Sequence, residues 1–217
     1  MKNFGLVVIG AHTGVWLANL LEKYKEQNIL LVEPVPYNVS ALRNNTSQYK
    51  NLAIETSVIS SKNQKQNFYF VKLASVENLG KHWASGIGSF DKEHILNHRY
   101  KRFKIQNSDI EKIEISNLTF GDLVIKYSIG SIDMLQIDVE GAEFEIMNSI
   151  NFEEISIKKI FFEFKHFDGT FNKGPKFKLI KERLINSNYS ILEVDNENIL
   201  AERKTSFDFE SKIKYPS

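Results

Sequence analysis

The sequence contains no cysteine. Disulfides, thiolate metal sites and a cysteine nucleophile are thereby excluded, and the chain suits a reducing cytosol, so a cytoplasmic location is expected. It also lacks an excess of either charge: Lys plus Arg number 28 and Asp plus Glu 27, a formal net charge of +1. No global field draws it to nucleic acid or to an anionic membrane, and neither is expected as a partner. No apolar run is long enough to span a bilayer. The apolar N-terminal stretch is broken by Gly10, His12 and Gly14, and Ala18-Asn19-Leu20 is a poor cleavage site, so no secretory leader is expected. Internal repeats and low-complexity tracts are missing too. What remains is ordinary for a globular protein, 42% hydrophobic and 25% charged over 217 residues. It reads most simply as one domain, 1–217.

The most informative stretch runs from Leu6 to Glu33 and reads as strand, tight turn, helix, strand. Leu6-Val7-Val8-Ile9 is the short apolar run of a parallel strand buried on both faces. Gly10-Ala11-His12-Thr13-Gly14 is the turn, where glycine allows a sharp bend and the close approach of a ligand. Val15 to Tyr24 reads as a helix, with Leu17, Leu20, Leu21 and Tyr24 on one apolar stripe. Ile29 to Val32 is a second strand that ends on Glu33, and Pro34 and Pro36 stop further pairing. Two parallel strands need a right-handed crossover, and the first turn of its helix presents free N–H groups to an anion. An acid at the end of the second strand, about 20 residues beyond the glycines, is placed to accept hydrogen bonds from ribose hydroxyls. The dinucleotide pattern G-x-G-x-x-G is incomplete, because its middle glycine is missing. That suits a ligand with a ribose and a carboxylate but no pyrophosphate, a description met by S-adenosylmethionine. The plain alternative is a ligand-free crossover.

Further along, Asn38 is expected to cap a helix over 39–44. Leu52 to Ile59 is expected as a third strand, carrying Ser57 and Val58 toward the same ligand, and Phe68 to Val71 as a short strand returning from a polar turn. Residues 74–104, with Trp83, Phe90, His82, His94, His98 and the basic run HRYKRFK, read as a loop-rich insertion, a lid or substrate-binding segment. Ile113 to Ile115 is a short strand and Thr119 to Tyr127 a helix. Ile132 to Ile137 is a buried strand ending on Asp138, followed by a helix over 141–150. Lys159 to Phe164 is the next buried strand, and Pro175 opens a helix with Phe177, Ile180 and Leu184 as its stripe. Tyr189 to Val194 and Ile199 to Arg203 flank a polar turn, as an antiparallel hairpin does. This is an α/β chain with a mostly parallel sheet, and in such sheets ligands lie beyond the carboxyl ends of the strands. Gly10, Glu33, Ser57, Asp138 and the segment after Phe164 all sit near those ends.

With these segments in view, the chain resembles the FkbM-type methyltransferases, a family of S-adenosylmethionine-dependent O-methyltransferases. The resemblance rests on GAHTG followed by VEPVPYNVSALRNN, on NLTFGDLVIKYSIGSIDMLQIDVEGAEFEIM, and on IFFEFKH; IDVEGAE, 137–143, is its most specific part. It implies a Rossmann-like class I fold with a seven-stranded sheet and a C-terminal antiparallel hairpin. It also implies methyl transfer to a hydroxyl, on a sugar or glycan or another small molecule. Gly10, Ala11, His12, Gly14, Glu33, Pro34, Ser57 and Val58 are the cofactor-binding candidates. One departure stands out: the acid usual two residues before the first glycine is Val8 here. The chain also begins directly at the first strand, so the insertion at 74–104, or a partner, is expected to do the roofing that preceding helices would do.

Methyl transfer to a hydroxyl is chiefly a matter of positioning, helped by a base. Asp138 is the leading candidate for that base, with Glu140 beside it and His166, after the fifth main strand, as another proton acceptor. The plain readings are helix capping for Asp138, first-turn acids for Glu140 and Glu143, and a loop residue for His166. Asp138, Glu140 and His166 could also ligate a divalent metal with oxygen and imidazole donors, a possible reading that is not favoured because no H-x-x-x-H or comparable ligand spacing is present. Trp83 and Phe90 are candidates for an apolar wall against a sugar face. Two other functions compete: a nicotinamide-dependent oxidoreductase, favoured by Glu33 but opposed by the missing glycine, and a non-catalytic nucleoside-binding module.

Overall fold

The computed structural model describes residues 1–80, 82–97, 105–139, 141–169 and 172–204. The first unit is the expected crossover: β1 (Lys2–Ile9), a 3-10 turn (Val15–Leu17) running into α1 (Ala18–Tyr24), and β2 (Asn28–Val32). Successive β1 side chains enter opposite cores, as a strand's period of two requires. Leu6 and Val8 pack with Leu17, Leu21 and Tyr24 beneath α1. Val7 and Ile9 pack into the larger core on the other face. Helix α2 (Pro36–Asn45) then leads to β3 (Leu52–Glu55).

Between β3 and the next strand of this sheet lies a longer insertion, which contains the stretch 74–104 expected to be loop-rich and is more regular than that. It comprises β4 (Val58–Ile59), β5 (Lys65–Val71), α3 (Leu73–Leu79), a 3-10 turn (His82–Ser85), β6 (Gly88–Ser89), α4 (Lys92–Asn97), another 3-10 turn (Asn107–Asp109) and β7 (Ile110–Leu118). Four of these elements form a second sheet in the order β4-β7-β5-β6. The basic run 98–104 lies outside the described residues. The chain returns through α5 (Phe120–Tyr127), β8 (Ile129–Ile137), α6 (Glu143–Ser149), β9 (Ser156–Glu163), α7 (Pro175–Asn186), β10 (Tyr189–Glu193) and β11 (Asn198–Arg203).

The main sheet has seven strands in the order β3-β2-β1-β8-β9-β11-β10. All its pairings are parallel except those of β11, which runs antiparallel to both β9 and β10. This is the expected Rossmann-like, mostly parallel seven-stranded sheet with its C-terminal antiparallel hairpin. Helices α6 and α7 cover one face through Ile146, Met147, Phe177, Ile180 and Leu184. Arg183 of α7 ties them together by donating to the carbonyls of Met147, Asn148 and Ile150, the unpaired C-terminal end of α6. Among the described residues no helix is long and apolar enough to cross a membrane.

Three local expectations are corrected. Residues 52–59 are two strands in different sheets. The Glu55 carboxylate accepts the N–H groups of Thr56 and Ser57 and turns the chain away there. The strands expected at 68–71 and 113–115 are seven and nine residues long and pair with each other, Phe68 opposite Ile113. Asn38 does not cap α2: Pro36 starts that helix and Val35 precedes it, which leaves Asn38 inside the helix and buried.

Candidate active site

The turn after β1 is shaped by the strand beside it. Gly10 has φ +93°, and a β-carbon there would fall 1.7 Å from the Asp138 carbonyl oxygen, so only glycine fits. Asp138 N–H in turn donates to the Ile9 carbonyl at 2.9 Å. Gly14 (φ +76°) is pressed against Leu42 of α2. His12, between them, is a non-glycine residue in the left-handed region at φ 51°. Its backbone N–H donates to Glu33 Oε2 at 2.9 Å, and its Nε2 lies 2.6 Å from Ser85 Oγ.

Glu33 is 5% exposed. Its Oε1 accepts from Val35 N–H at 3.0 Å and from Asn38 Nδ2 at 3.2 Å. Burial pushes its pKa up against the pull of these donors. Asn38 Nδ2 also donates to the Ser85 carbonyl at 2.8 Å. Glu55, at the end of β3, is held by Lys126 Nζ at 2.6 Å and Tyr127 Oη at 3.1 Å, which fixes the peptide of Ser57.

Asp138 stands exposed just beyond β8. Behind it Glu143 is 1% exposed. Its carboxylate accepts from Val139 N–H at 2.9 Å and Gly141 N–H at 3.0 Å, holding the loop that carries Asp138. Burial pushes the Glu143 carboxyl up to about 7, against those donors and with a further push from Asp138. Oxygens of Asp138, Glu143 and Glu163 lie within 4.8 Å of one another, and Lys165 Nζ is 3.6 Å from Glu163. Closeness of carboxylates alone does not make a metal site.

These groups border a cavity of about 400 Å³ over the carboxyl ends of β1, β2 and β8. One end is walled by Glu33, Pro34, Val35, Ser57, Val58 and Ile59. The insertion supplies much of the rest: Phe68, Gly86, Gly88, Ser89, Phe90, Asp91 and His94. Phe68 and Phe90 meet edge to face at 5.7 Å. A β-carbon on Gly141, which has φ +120°, would lie 3.6 Å from His94 Cε1, so the imidazole rests against that glycine.

Of the sequence candidates, Gly10, His12, Glu33, Pro34, Ser57, Val58 and Asp138 line the cavity together. Ala11 and Gly14 shape the turn from behind: Ala11 is fully buried and its N–H donates to the Val32 carbonyl. His166 falls in the turn after β9 and is not among the lining residues. Glu140 lies outside the described residues, as does the side chain of Trp83. Phe90 and His94, named within the expected substrate-binding segment, also line the cavity, whereas sequence reasoning missed Ser85 and the part played by Asn38. For Asn38 a signal existed, since proline at the first helical position fixes where α2 starts.

A family model described as the methyltransferase FkbM domain matches residues 9–198. The chain belongs to the FkbM methyltransferase family. No curated protein sequence matches it. Several solved structures share its outline at low identity. Fibrillarin from Methanococcus jannaschii is 13% identical, with 94% of this chain and 68% of that one covered and a TM-score of 0.47. Precorrin-6y C5,15-methyltransferase from Geobacter metallireducens is 11% identical, with 94% and 82% covered and a TM-score of 0.44. The Streptococcus mutans putative methyltransferase SMU.1697c is 9% identical, with 94% and 90% covered and a TM-score of 0.41.

As an FkbM-family enzyme the protein is an S-adenosylmethionine-dependent methyltransferase. Its cavity holds the buried carboxylate of Glu33 and an apolar wall of Val35, Val58 and Phe68. A carboxylate has about four lone-pair positions. Three on Glu33 are taken by Val35, Asn38 and His12, which leaves one, on Oε2, for a further donor. Val8, where the family's usual acid is replaced, is fully buried under α1 and does not face the cavity.

Proposed function

We propose that this methyltransferase places the methyl group on a hydroxyl of a sugar, glycan or similarly small polyhydroxylated compound. The observation that supports this most is the make-up of the cavity's insertion end. There the ring of Phe90 stands beside Ser89, Asp91 and His94. An aromatic face flanked by a carboxylate, a hydroxyl and an imidazole offers apolar contact together with hydrogen bonding, which a polyhydroxylated ring needs. Gly10, His12, Glu33, Pro34, Ser57 and Val58 hold the cofactor along the other side. When bound, S-adenosylmethionine supplies an electrophilic methyl group on a sulfonium. Asp138 is the group we assign to orient the acceptor hydroxyl and take its proton. With the cofactor bound, the Asp138 carboxylate would receive the proton that the acceptor hydroxyl gives up. The main sheet and the insertion share one cavity, which supports reading the chain as a single domain. The absence of cysteine and the balanced charge fit a cytoplasmic enzyme whose acceptor is neither nucleic acid nor membrane.

The test is transfer of labelled methyl from S-adenosylmethionine to a panel of neutral glycosides and oligosaccharides, with amines and carboxylic acids alongside. Label should enter a base-stable methyl ether. With the best acceptor, Asp138→Asn should lower turnover about 10²–10⁴-fold while the affinity for S-adenosylhomocysteine stays. Label entering only amines or base-labile esters would refute the hydroxyl reading. Full turnover in Asp138→Asn would remove Asp138 from the mechanism.

A further inference from the structure

The insertion does more than wall the acceptor end, because it also grips the cofactor turn. Ser85, in the 3-10 turn His82–Ser85, makes two contacts to the cofactor turn and α2. Its Oγ lies 2.6 Å from His12 Nε2, and its carbonyl accepts from Asn38 Nδ2 at 2.8 Å. Both partners act directly on Glu33: His12 through its backbone N–H on Oε2, Asn38 through the same Nδ2 on Oε1. Ser85, His12, Glu33 and Asn38 therefore close one ring of hydrogen bonds. The ring joins three separate parts of the chain: the turn after β1, the end of β2 with α2, and the insertion.

We propose that Ser85 is a positioning residue for the cofactor, and that the insertion sets affinity at the nucleoside end through it. This rests on the reading of Glu33 as the ribose acceptor. Glu33 keeps one open lone-pair position on Oε2, and the direction of that position depends on where His12 N–H sits. His12 occupies the left-handed region, which ordinary residues adopt only when their surroundings hold them there. The Ser85 hydroxyl supplies one such restraint on the side chain. Asn38, its Nδ2 shared between Glu33 and Ser85, fixes the other carboxylate oxygen.

The test is calorimetric titration of the full chain with S-adenosylhomocysteine, with thermal unfolding of each ligand-free variant as the control. Ser85→Ala should weaken binding about two- to tenfold, the worth of one hydrogen bond, with little change in unfolding temperature. Ser85→Thr keeps the hydroxyl and should restore affinity. Glu33→Gln turns one acceptor oxygen into a donor amide and should weaken binding by more than Ser85→Ala does. In the Glu33→Gln background, Ser85→Ala should cost little further, since the route through Glu33 is already broken. His12→Asn keeps a residue tolerant of the left-handed region but withdraws from Ser85. It should make Ser85→Ala silent, and it provides the same cycle without reliance on Glu33→Gln. Equal losses from Ser85→Ala in all backgrounds, or none in the wild type, would overturn the proposal. Undiminished binding in Glu33→Gln would instead refute the ribose reading, and the proposal would fall with it.

Discussion

Glu143 shows how a single side chain can serve shape and still carry a proton. Its carboxylate holds Val139 and Gly141 N–H groups, and burial raises its pKa to about 7. The groups around it are Asp138 on the loop it holds, Glu163 and Lys165 at the end of β9, Glu145 on its own helix, and Lys176 of α7, which pairs with Glu145. His94 of α4 lies against Gly141. In the unfolded chain a glutamate titrates near its ordinary value of 4.5. The folded protein therefore binds this proton more tightly than the unfolded one. The resulting stabilisation is full below about pH 4.5 and fades as pH rises through about 7. Glu33, also raised by burial, acts in the same sense, whereas Glu55, lowered despite burial because Lys126 and the Ser57 peptide hold its charged form, acts only in more acidic solution. Unfolding temperatures from pH 5 to pH 8 should accordingly fall less steeply for Glu143→Gln than for the wild type. Parallel profiles would mean that Glu143 is not the titrating group. None of this was visible in the sequence, where Glu143 looked like an ordinary first-turn acid; its burial is decided by β9 and the loop above it.

Among the elements, those whose residues touch their sequence neighbours were readable and those defined by distant contacts were not. The crossover from β1 to β2 declares itself because both strands are buried on both faces and the glycines sit between them. Helix α5 does so too, with Thr119 and Asp122 bonded reciprocally at its start. The second sheet stayed hidden because the buried residues of β5 and β7 divide between two small cores, Val71 and Ile110 in one and Phe68 and Phe70 in the other, and are interrupted by exposed Lys and Glu. Ser85 and His94 gain their roles from partners more than forty residues away, and no local pattern encodes that. The insertion itself should respond unevenly to ligand. Addition of S-adenosylhomocysteine should slow hydrogen exchange in the turn His82–Ser85, which is bonded to His12 and Asn38, and in α4, whose His94 lines the cavity. The paired backbone of β5 and β7 should change little, because its amides are already bonded across the ladder. Equal slowing throughout would make the insertion one rigid body that tightens as a unit.

At the scale of the whole molecule, a ligand held between the main sheet and the insertion stabilises both at once. S-adenosylhomocysteine at one hundred times its Kd should add about 2.7 kcal/mol to the folded state. For a chain of this size that corresponds to a rise of roughly 5–11 °C in Tm. The nicotinamide dinucleotide at the same concentration should leave Tm unchanged, and a shift from it with none from S-adenosylhomocysteine would contradict the cofactor assignment.

The strand order carries a further consequence, for how the protein is made. The central strand β1 has two neighbours, β2 just after it and β8, where Lys2 pairs with Ile129. Ribosomes add roughly 5–20 residues per second, so β1 leaves the tunnel roughly 6–25 s before its second partner exists. Throughout that interval one edge of an apolar strand stands open, ready to accept any other strand that passes. Meanwhile β5 and β7, which pair with each other, can form a hairpin before β8 appears. The segment that later covers the cavity would then be among the first to be in place, and the nascent chain would depend on chaperones until β8 closes the sheet.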